Sequence, residues 1–365
     1  MPNPQPLAHD YQSKKLTVAI VGGGIGIEHA QTFHALSDRY ELLAVCDLDR
    51  ALVGRLAADY HIPLVTTDFS DLLRIDDLSV IDLCTPSYLH HPQALAALEA
   101  GKHVICEKPV AGSLQQIDEL IAVEARSGKC LMPISQTRFG TGVQKLRYLR
   151  SLGLTGPALL TTSETARRRR PEYYAGWHGK WTTELGGALV TLGIHALDVC
   201  LAVLGPARGV SAHTATLVNP IETEDCLSAS LQMADGSLLS FSVTTGSARE
   251  NDRYRFCFRD LVAESNPEPY RTTSDPWGFY GDSTEIDARI QAALASFQPA
   301  PEGFQAQFEG FYRAVTEDAP LPITLQEARL ALEVITAIYA SAETGQAVTL
   351  PIGQDHPKYS GWKPG

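Results

Sequence analysis

Two side chains in this 365-residue chain have the chemistry and the surroundings for proton transfer. Lys108 stands between Glu107 and Pro109, directly after the apolar run His103 to Cys106. A lysine partly desolvated at the end of a buried strand has a lowered pKa and exchanges protons near neutrality. A cis Lys108–Pro109 bond would fix the turn that aims it. The plainer alternative is a solvated lysine after a strand. His195 and Asp198, in GGALVTLGIHALDVC (186–200), are spaced i, i+3 and so share a helix face. A carboxylate there would orient the imidazole or favour its protonated form, an arrangement suited to general acid/base work. Gly186 and Gly187 permit close backbone approach at the start of that helix. A histidine satisfied inside an apolar core is the competing explanation.

A third constellation is ARRRRPEYYAGWHGKW (166–181). Arginines suit a carboxylate or phosphate, and aromatics interleaved with basic groups suit a sugar ring. The alternative is a solvated charge run. Arg138, Tyr174, Trp177, Trp181 and Thr191 are the candidate substrate contacts. His90-His91 is read as a helix start, and no metal site is expected, because no further ligand has suitable spacing.

These groups must be positioned by a scaffold, and its centre is TVAIVGGGIGIEHAQTFHA (17–35). Thr17 to Val21 has the composition of a strand buried on both faces. It runs into Gly22, Gly24, Ile25 and Gly26, where a helical pattern begins. Glycines there permit positive φ and close approach of a phosphate to the backbone. The first amides and the dipole of the new helix then face the anion. The turn departs from G-x-G-x-x-G by one residue, since Gly22-x-Gly24 is followed by Gly26. A tight structural turn would look similar, but a second signal points to a dinucleotide. After the apolar run Glu41 to Cys46, Asp47 falls 25 residues beyond Gly22, close to the ribose-binding position. A nicotinamide cation beside Lys108 would lower that lysine's pKa further.

Strand and helix patterns alternate through residues 16–135, which implies a parallel sheet with right-handed crossovers. Thr85-Pro86 and Glu107-Lys108-Pro109 end strands of that sheet, where ligands of such folds bind. From about residue 136 the pattern changes. A helix at 143–152, a strand at 157–164 and a helix at 187–204 precede strand-like runs at 209–217, 225–233, 237–245 and 254–258. The fold class is therefore α/β: an N-terminal doubly wound Rossmann domain and a C-terminal α+β domain on an open-faced, mostly antiparallel sheet. The expected layout is a disordered leader (1–14), a dinucleotide-binding domain (15–135), a substrate-binding and oligomerisation domain (136–352) and a loose tail (353–365). Residues 275–283 read as an irregular loop. Helices are expected at 305–315 and 325–342, the latter able to pack back on the first domain. A net charge of −12 argues against nucleic acid and anionic membrane as partners. No apolar run approaches membrane-spanning length and the leader has no apolar signal core, so the protein is expected in the cytoplasm. Seven scattered cysteines, odd in number and never C-x-x-C, argue against a disulfide framework or zinc site.

Taken together, AIVGGGIGIEHA, AVCDLD, CTPSYLHHPQALAALEAGKHVICEKPVA, QTRF (136–139), GGALVTLGIHALD and the late helix ITLQEARLALEVITAIYASAETGQAVTLPI resemble the Gfo/Idh/MocA family of nicotinamide-dependent oxidoreductases. The resemblance covers nearly the whole chain after the leader, and Cys84 to Pro109 is its most specific part. It implies NAD on the glycine turn, with Asp47 accepting ribose hydroxyls. NADP is disfavoured by the acid and by the lack of an arginine directly after it, with Arg50 the nearest. Thr85, Pro86, His90 and Glu107 would line the cofactor, and Lys108 and His195 would be the catalytic pair, Asp198 orienting His195. It further implies a sugar or polyol substrate and a homodimer or homotetramer built on the open sheet face. In the family's polyol dehydrogenases an aspartate lies four residues before the histidine, where this chain has Thr191, which cannot serve as a carboxylate base. The expected reaction is hydride transfer from a carbinol carbon to nicotinamide C4, with a redox-neutral enzyme holding NAD tightly, or a non-catalytic sensor, as alternatives.

Overall fold

The computed structural model describes residues 15–365, so the expected leader lies outside the described residues. The first sheet is laid down by β1 (Leu16–Val21), α1 (Gly26–Ala35), β2 (Tyr40–Cys46), α2 (Arg50–Tyr60), β3 (Leu64–Thr66), α3 (Phe69–Leu73), β4 (Val80–Leu83), α4 (His90–Glu99), β5 (His103–Cys106), α5 (Leu114–Ser127) and β6 (Leu131–Pro133). Its strands are all parallel in the order β3-β2-β1-β4-β5-β6. The direction of winding reverses between β1 and β4, and this crevice is where such sheets bind ligands. β1 and β4 are almost wholly buried because helices cover both faces of the sheet, and Asp82 in β4 is the charged exception to their apolar composition. α5 shows how local signals set an element. Ser113 caps it by accepting from Gln116 N–H, and Leu114, Ile117, Leu120 and Val123 form its buried stripe. Gly128, at φ +65°, then ends it.

The second unit comprises α6 (Thr141–Ser151), β7 (Ala158–Arg168), a single π-helical turn (Leu189–Gly193) running into α7 (Ile194–Leu204), β8 (Ala207–Ala215), β9 (Cys226–Met233), β10 (Leu238–Thr244), β11 (Gly246–Phe258), β12 (Leu261–Glu264), β13 (Gly278–Gly281), α8 (Thr284–Ser296), α9 (Gly303–Glu317), α10 (Leu325–Thr344) and β14 (Val348–Thr349). The eight strands run β13-β12-β11-β7-β10-β9-β8-β14, and β7 with β10 is the one parallel pairing. β9 shows the two faces of this sheet. Leu227, Ala229, Leu231 and Met233 are buried, while Ser228, Ser230 and Gln232 are exposed. Residues on the buried face join the core that includes α7 and α10, and the other face is open.

Three expectations change. Residues 275–283, read as an irregular loop, contain β13, and α8 follows it, capped by Ser283 with Glu285 and Asp287 in its first turn. The segment 303–323, expected in the second domain, packs into the first. Phe308, Phe311, Tyr312 and Ile323 are buried with Val18, Ile20, Ala30 and Phe33, and Phe33 stacks on Phe308 at 4.3 Å. The tail is held in place: Trp362 is buried and its indole N–H donates to Thr336 Oγ1 (2.9 Å). α10 does reach the first domain, through Arg329 and Asp118 (2.5 Å). No helix among the described residues is long and apolar enough to cross a membrane.

Candidate active site

At the crevice, Gly22 takes φ +101°, and a Cβ on it would stand 2.5 Å from the Cys84 carbonyl oxygen. Only glycine fits. Gly24 faces open space, and α1 begins at Gly26 with no side-chain cap. The Ile27 and Glu28 amides turn back onto the Gly24 and Ile25 carbonyls, so it is the amides of the glycine turn before them that can face an anion. Asp47 Oδ2 accepts the Gly23 N–H (2.7 Å) and Oδ1 the Asp49 N–H (2.9 Å), which fixes the carboxylate at the end of β2. His90 ties two strand-end loops together: its ring nitrogens lie 2.7 Å from the carbonyl oxygens of Pro109 and Thr85. Burial pushes its pKa down. Gly22, Gly24, Ile25, Asp47, Thr85, Pro86, His90, Glu107 and Lys108 all line one cavity of about 1710 Å³. Gly26 lies beneath it, packed on Ile20.

The same cavity continues over the second sheet, and there Thr191 and His195 face it. Their helix is placed by a buried acid. Glu224 accepts from Gly187 N–H (3.1 Å), Leu189 N–H (2.9 Å) and the Tyr339 hydroxyl (3.0 Å), satisfying orphan donors at the helix start. Burial pushes Glu224 up to about 7 against those donors. The π-helical turn follows, a geometry that recurs at functional sites. Within it the Thr191 carbonyl oxygen accepts from Lys108 Nζ (2.9 Å), while Thr191 Oγ1 donates back to Gly187. Thr191 therefore meets Lys108 through its backbone.

Electrostatics set the protonation of the pair. Burial pushes His195 down to about 3, and the Lys108 charge adds to the effect, so its imidazole is neutral. Burial also lowers Lys108, with Glu107 and Glu184 opposing. Glu107 accepts the Lys108 backbone N–H (3.0 Å). Burial alone would raise it, but His29, Lys108 and His195 hold it at about 2. The Lys108–Pro109 bond is cis.

Other expected contacts are not made. Asp198 does not orient His195. Arg138 Nε and Nη2 grip its carboxylate at 2.9 and 2.5 Å, and Arg138 Nη1 reaches Glu327. The two residues share a helix side, but a fixed guanidinium fork outcompetes an imidazole for a carboxylate. Arg138, buried in that pair, does not line the cavity as a substrate contact. Tyr174 turns aside to Thr245 Oγ1 (3.1 Å), and Trp181 donates to the Glu222 carbonyl (3.0 Å) and packs on Tyr339. Trp177 does face the cavity, with Tyr173 and His178 beside it.

Two groups escaped the sequence reading. Asp252, Tyr254 and Tyr270 line the part of the cavity over the second sheet but come from late strands and a loop with no motif. His29, Asp82 and Cys84 form a buried cluster whose ligand-type atoms lie within 4.8 Å of one another. Despite burial, Asp82 (2.9 Å) raises His29 well above its ordinary value, so His29 holds its proton and acts as an ion-pair partner. An aspartate inside the apolar run VIDLC was the available signal, since a buried charge demands a partner.

Two family models match the chain: "Oxidoreductase family, NAD-binding Rossmann fold" over residues 16–135 and "GFO/IDH/MocA C-terminal domain" over 143–260. The chain belongs to the Gfo/Idh/MocA oxidoreductase family. Among its relatives is the D-glucoside 3-dehydrogenase of Escherichia coli K12, 28% identical over 93% of this chain and 98% of that one. Another is the NADP(+) scyllo-inositol 2-dehydrogenase IolW of Bacillus subtilis, 23% identical over 92% and 96%. Among solved structures, the WlbA dehydrogenase of Chromobacterium violaceum, in complex with NADH and UDP-GlcNAcA, matches with a TM-score of 0.82. It is 26% identical and covers 97% of this chain and 100% of its own. The glycine turn, its uncapped helix and Asp47 all fall within residues 16–135, the stretch matched by the NAD-binding Rossmann model.

Proposed function

We propose that this family member is an NAD-dependent dehydrogenase that oxidises a secondary alcohol of a sugar or polyol. The observation that carries the reading is the meeting of Lys108 and a neutral His195 in one cavity with the dinucleotide turn. Nicotinamide, when bound, would accept hydride at C4. The chain's own task is the hydroxyl proton. A neutral imidazole can accept it without first losing one, and Lys108, held on the Thr191 carbonyl, assists as an acceptor once it is deprotonated. Glu107 keeps the pair from becoming a bare cationic cluster. The sugar and polyol dehydrogenases among its relatives support the substrate class.

The test is NADH absorbance with purified protein, NAD or NADP, and a panel of sugars, sugar acids and inositols. NADH formation on one compound class is expected. No NADH on any member, with NAD shown to bind, would sink the reading.

For the cofactor we propose NAD over NADP. Asp47 presents a carboxylate at the end of β2, and the residue directly after it is an exposed Leu48 in place of a phosphate-binding arginine, the nearest being Arg50. Asp47→Ala is expected to cut the NADH-over-NADPH binding preference by about 10- to 100-fold, the worth of a charge-assisted hydrogen bond. Fluorescence titration with both nucleotides reads it, and an unchanged ratio would remove Asp47 from cofactor choice. The open, serine-rich face of the second sheet is proposed to pair with another copy, giving a dimer or tetramer. All seven cysteines are free thiols, which suits a reducing, cytoplasmic setting.

A further inference from the structure

Past the Lys108–His195 pair the cavity has a cationic wall that the proton chemistry does not use. Successive side chains of a strand point to opposite sides. Arg167 and Arg168, which end β7, divide accordingly, and Arg169 and Arg170 after it divide the same way. Arg168 and Arg170 are exposed, while Arg167 and Arg169 line the cavity. Arg167 is 3% exposed and lies over the Tyr270 ring, 3.7 Å from its centroid. Its Nη2 pairs with Asp252, but its Nε and Nη1 hydrogens have no partner. Buried donors are rarely left unmatched in a finished site, so an acceptor is missing there. Arg169 donates to the Tyr270 hydroxyl (2.9 Å) and sits 5.1 Å over Tyr173. No carboxylate pairs with it among the described residues, although the chain as a whole carries −12.

We infer that Arg167 and Arg169 form a carboxylate-binding wall, so that the preferred substrate is a sugar acid rather than a neutral sugar. This rests on the dehydrogenase reading above and narrows it. Arg167 depresses the pKa of His195 and Arg169 that of Lys108, which puts both guanidinium groups within electrostatic reach of the reacting centre. The carboxylate therefore belongs on the sugar itself and not at the end of a long substituent. A neutral sugar could accept the N–H bonds but would leave the Arg169 charge uncompensated.

The experiment is calorimetric titration of NADH-loaded protein with matched pairs, glucose against glucuronate and galactose against galacturonate, together with the corresponding sugar phosphates. NADH formation from each, with the NAD-loaded protein, is read alongside. At least about tenfold tighter binding of the acid than of its parent is expected. Arg169→Gln should bring that preference close to unity, and Arg169→Lys should retain part of it. Equal binding within each pair, or tighter binding of the phosphates than of the acids, would overturn the inference. So would a preference that survives Arg169→Gln undiminished. NADH from neutral sugars with no preference for acids would reject the wall and leave the dehydrogenase standing. Acid-selective binding with no NADH from any compound would do the reverse.

Discussion

Lys108→Met should lower kcat by about 10²- to 10⁴-fold, the range for removing a positioned proton-transfer group, while NADH still binds. Methionine keeps the unbranched apolar stem but ends one atom short, losing the titrating nitrogen and its bond to the Thr191 carbonyl. The proposed cofactor contacts should persist because they lie elsewhere, at the glycine turn and Asp47. The pH dependence separates the two members of the pair. His195, pushed down to about 3, is neutral at any pH near 7 and contributes no inflection there. Lys108 is lowered from 10.5, so a limb in kcat/KM that rises with pH below that value would report deprotonation of the lysine. Lys108→Arg, which cannot titrate in this range, should erase the limb. Stopped-flow single turnovers with Lys108→Met and saturating NAD give the cleanest reading. A wild-type rate there would remove Lys108 from the chemistry.

How much of this was legible before the structure depends on whether a signal was local. β1, β4 and β5 are short apolar runs bounded by glycine or proline, and sheets buried on both faces always read so. Their ends carry Gly22, Thr85 and Lys108, so the cofactor half of the site followed from topology. α9 shows where that stops. Its pattern announces a buried face at Phe308, Phe311 and Tyr312, but nothing in a pattern says which domain receives it. Here Phe33 and Tyr40 do. The arginine run is a middle case: a strand's alternation can divide it, yet the strand had to be known to reach Arg168. Asp198 is the clearest loss. Spacing put it near His195, and a residue 60 positions away in sequence took its carboxylate.

Asp198→Ala should therefore act on stability first, by about 3–5 kcal/mol, as expected when a buried ion pair loses one partner. Arg138 is 6% exposed at its side chain and would be left with Glu327 alone, a carboxylate that is itself partly open to solvent. That second partner places the loss toward the lower end of the range. The pair joins the QTRF turn after the first sheet to α7, the helix that carries His195, so the cost should appear as a lower urea midpoint with cooperative unfolding retained. Pairing Asp198→Leu with Arg138→Met should recover most of it, since two apolar side chains do not ask for compensation. Kinetics then decide between the two roles. If Asp198 serves Arg138, the folded fraction of Asp198→Asn keeps kcat/KM within about threefold and an unshifted pH profile. If Asp198 instead tunes His195, the midpoint stays put while kcat falls and the profile moves, because an imidazole that loses its carboxylate loses its orientation and its basicity together. The bidentate grip at 2.5 and 2.9 Å favours the first outcome: the carboxylate that looked like part of the proton relay is the bolt that holds the QTRF turn to α7.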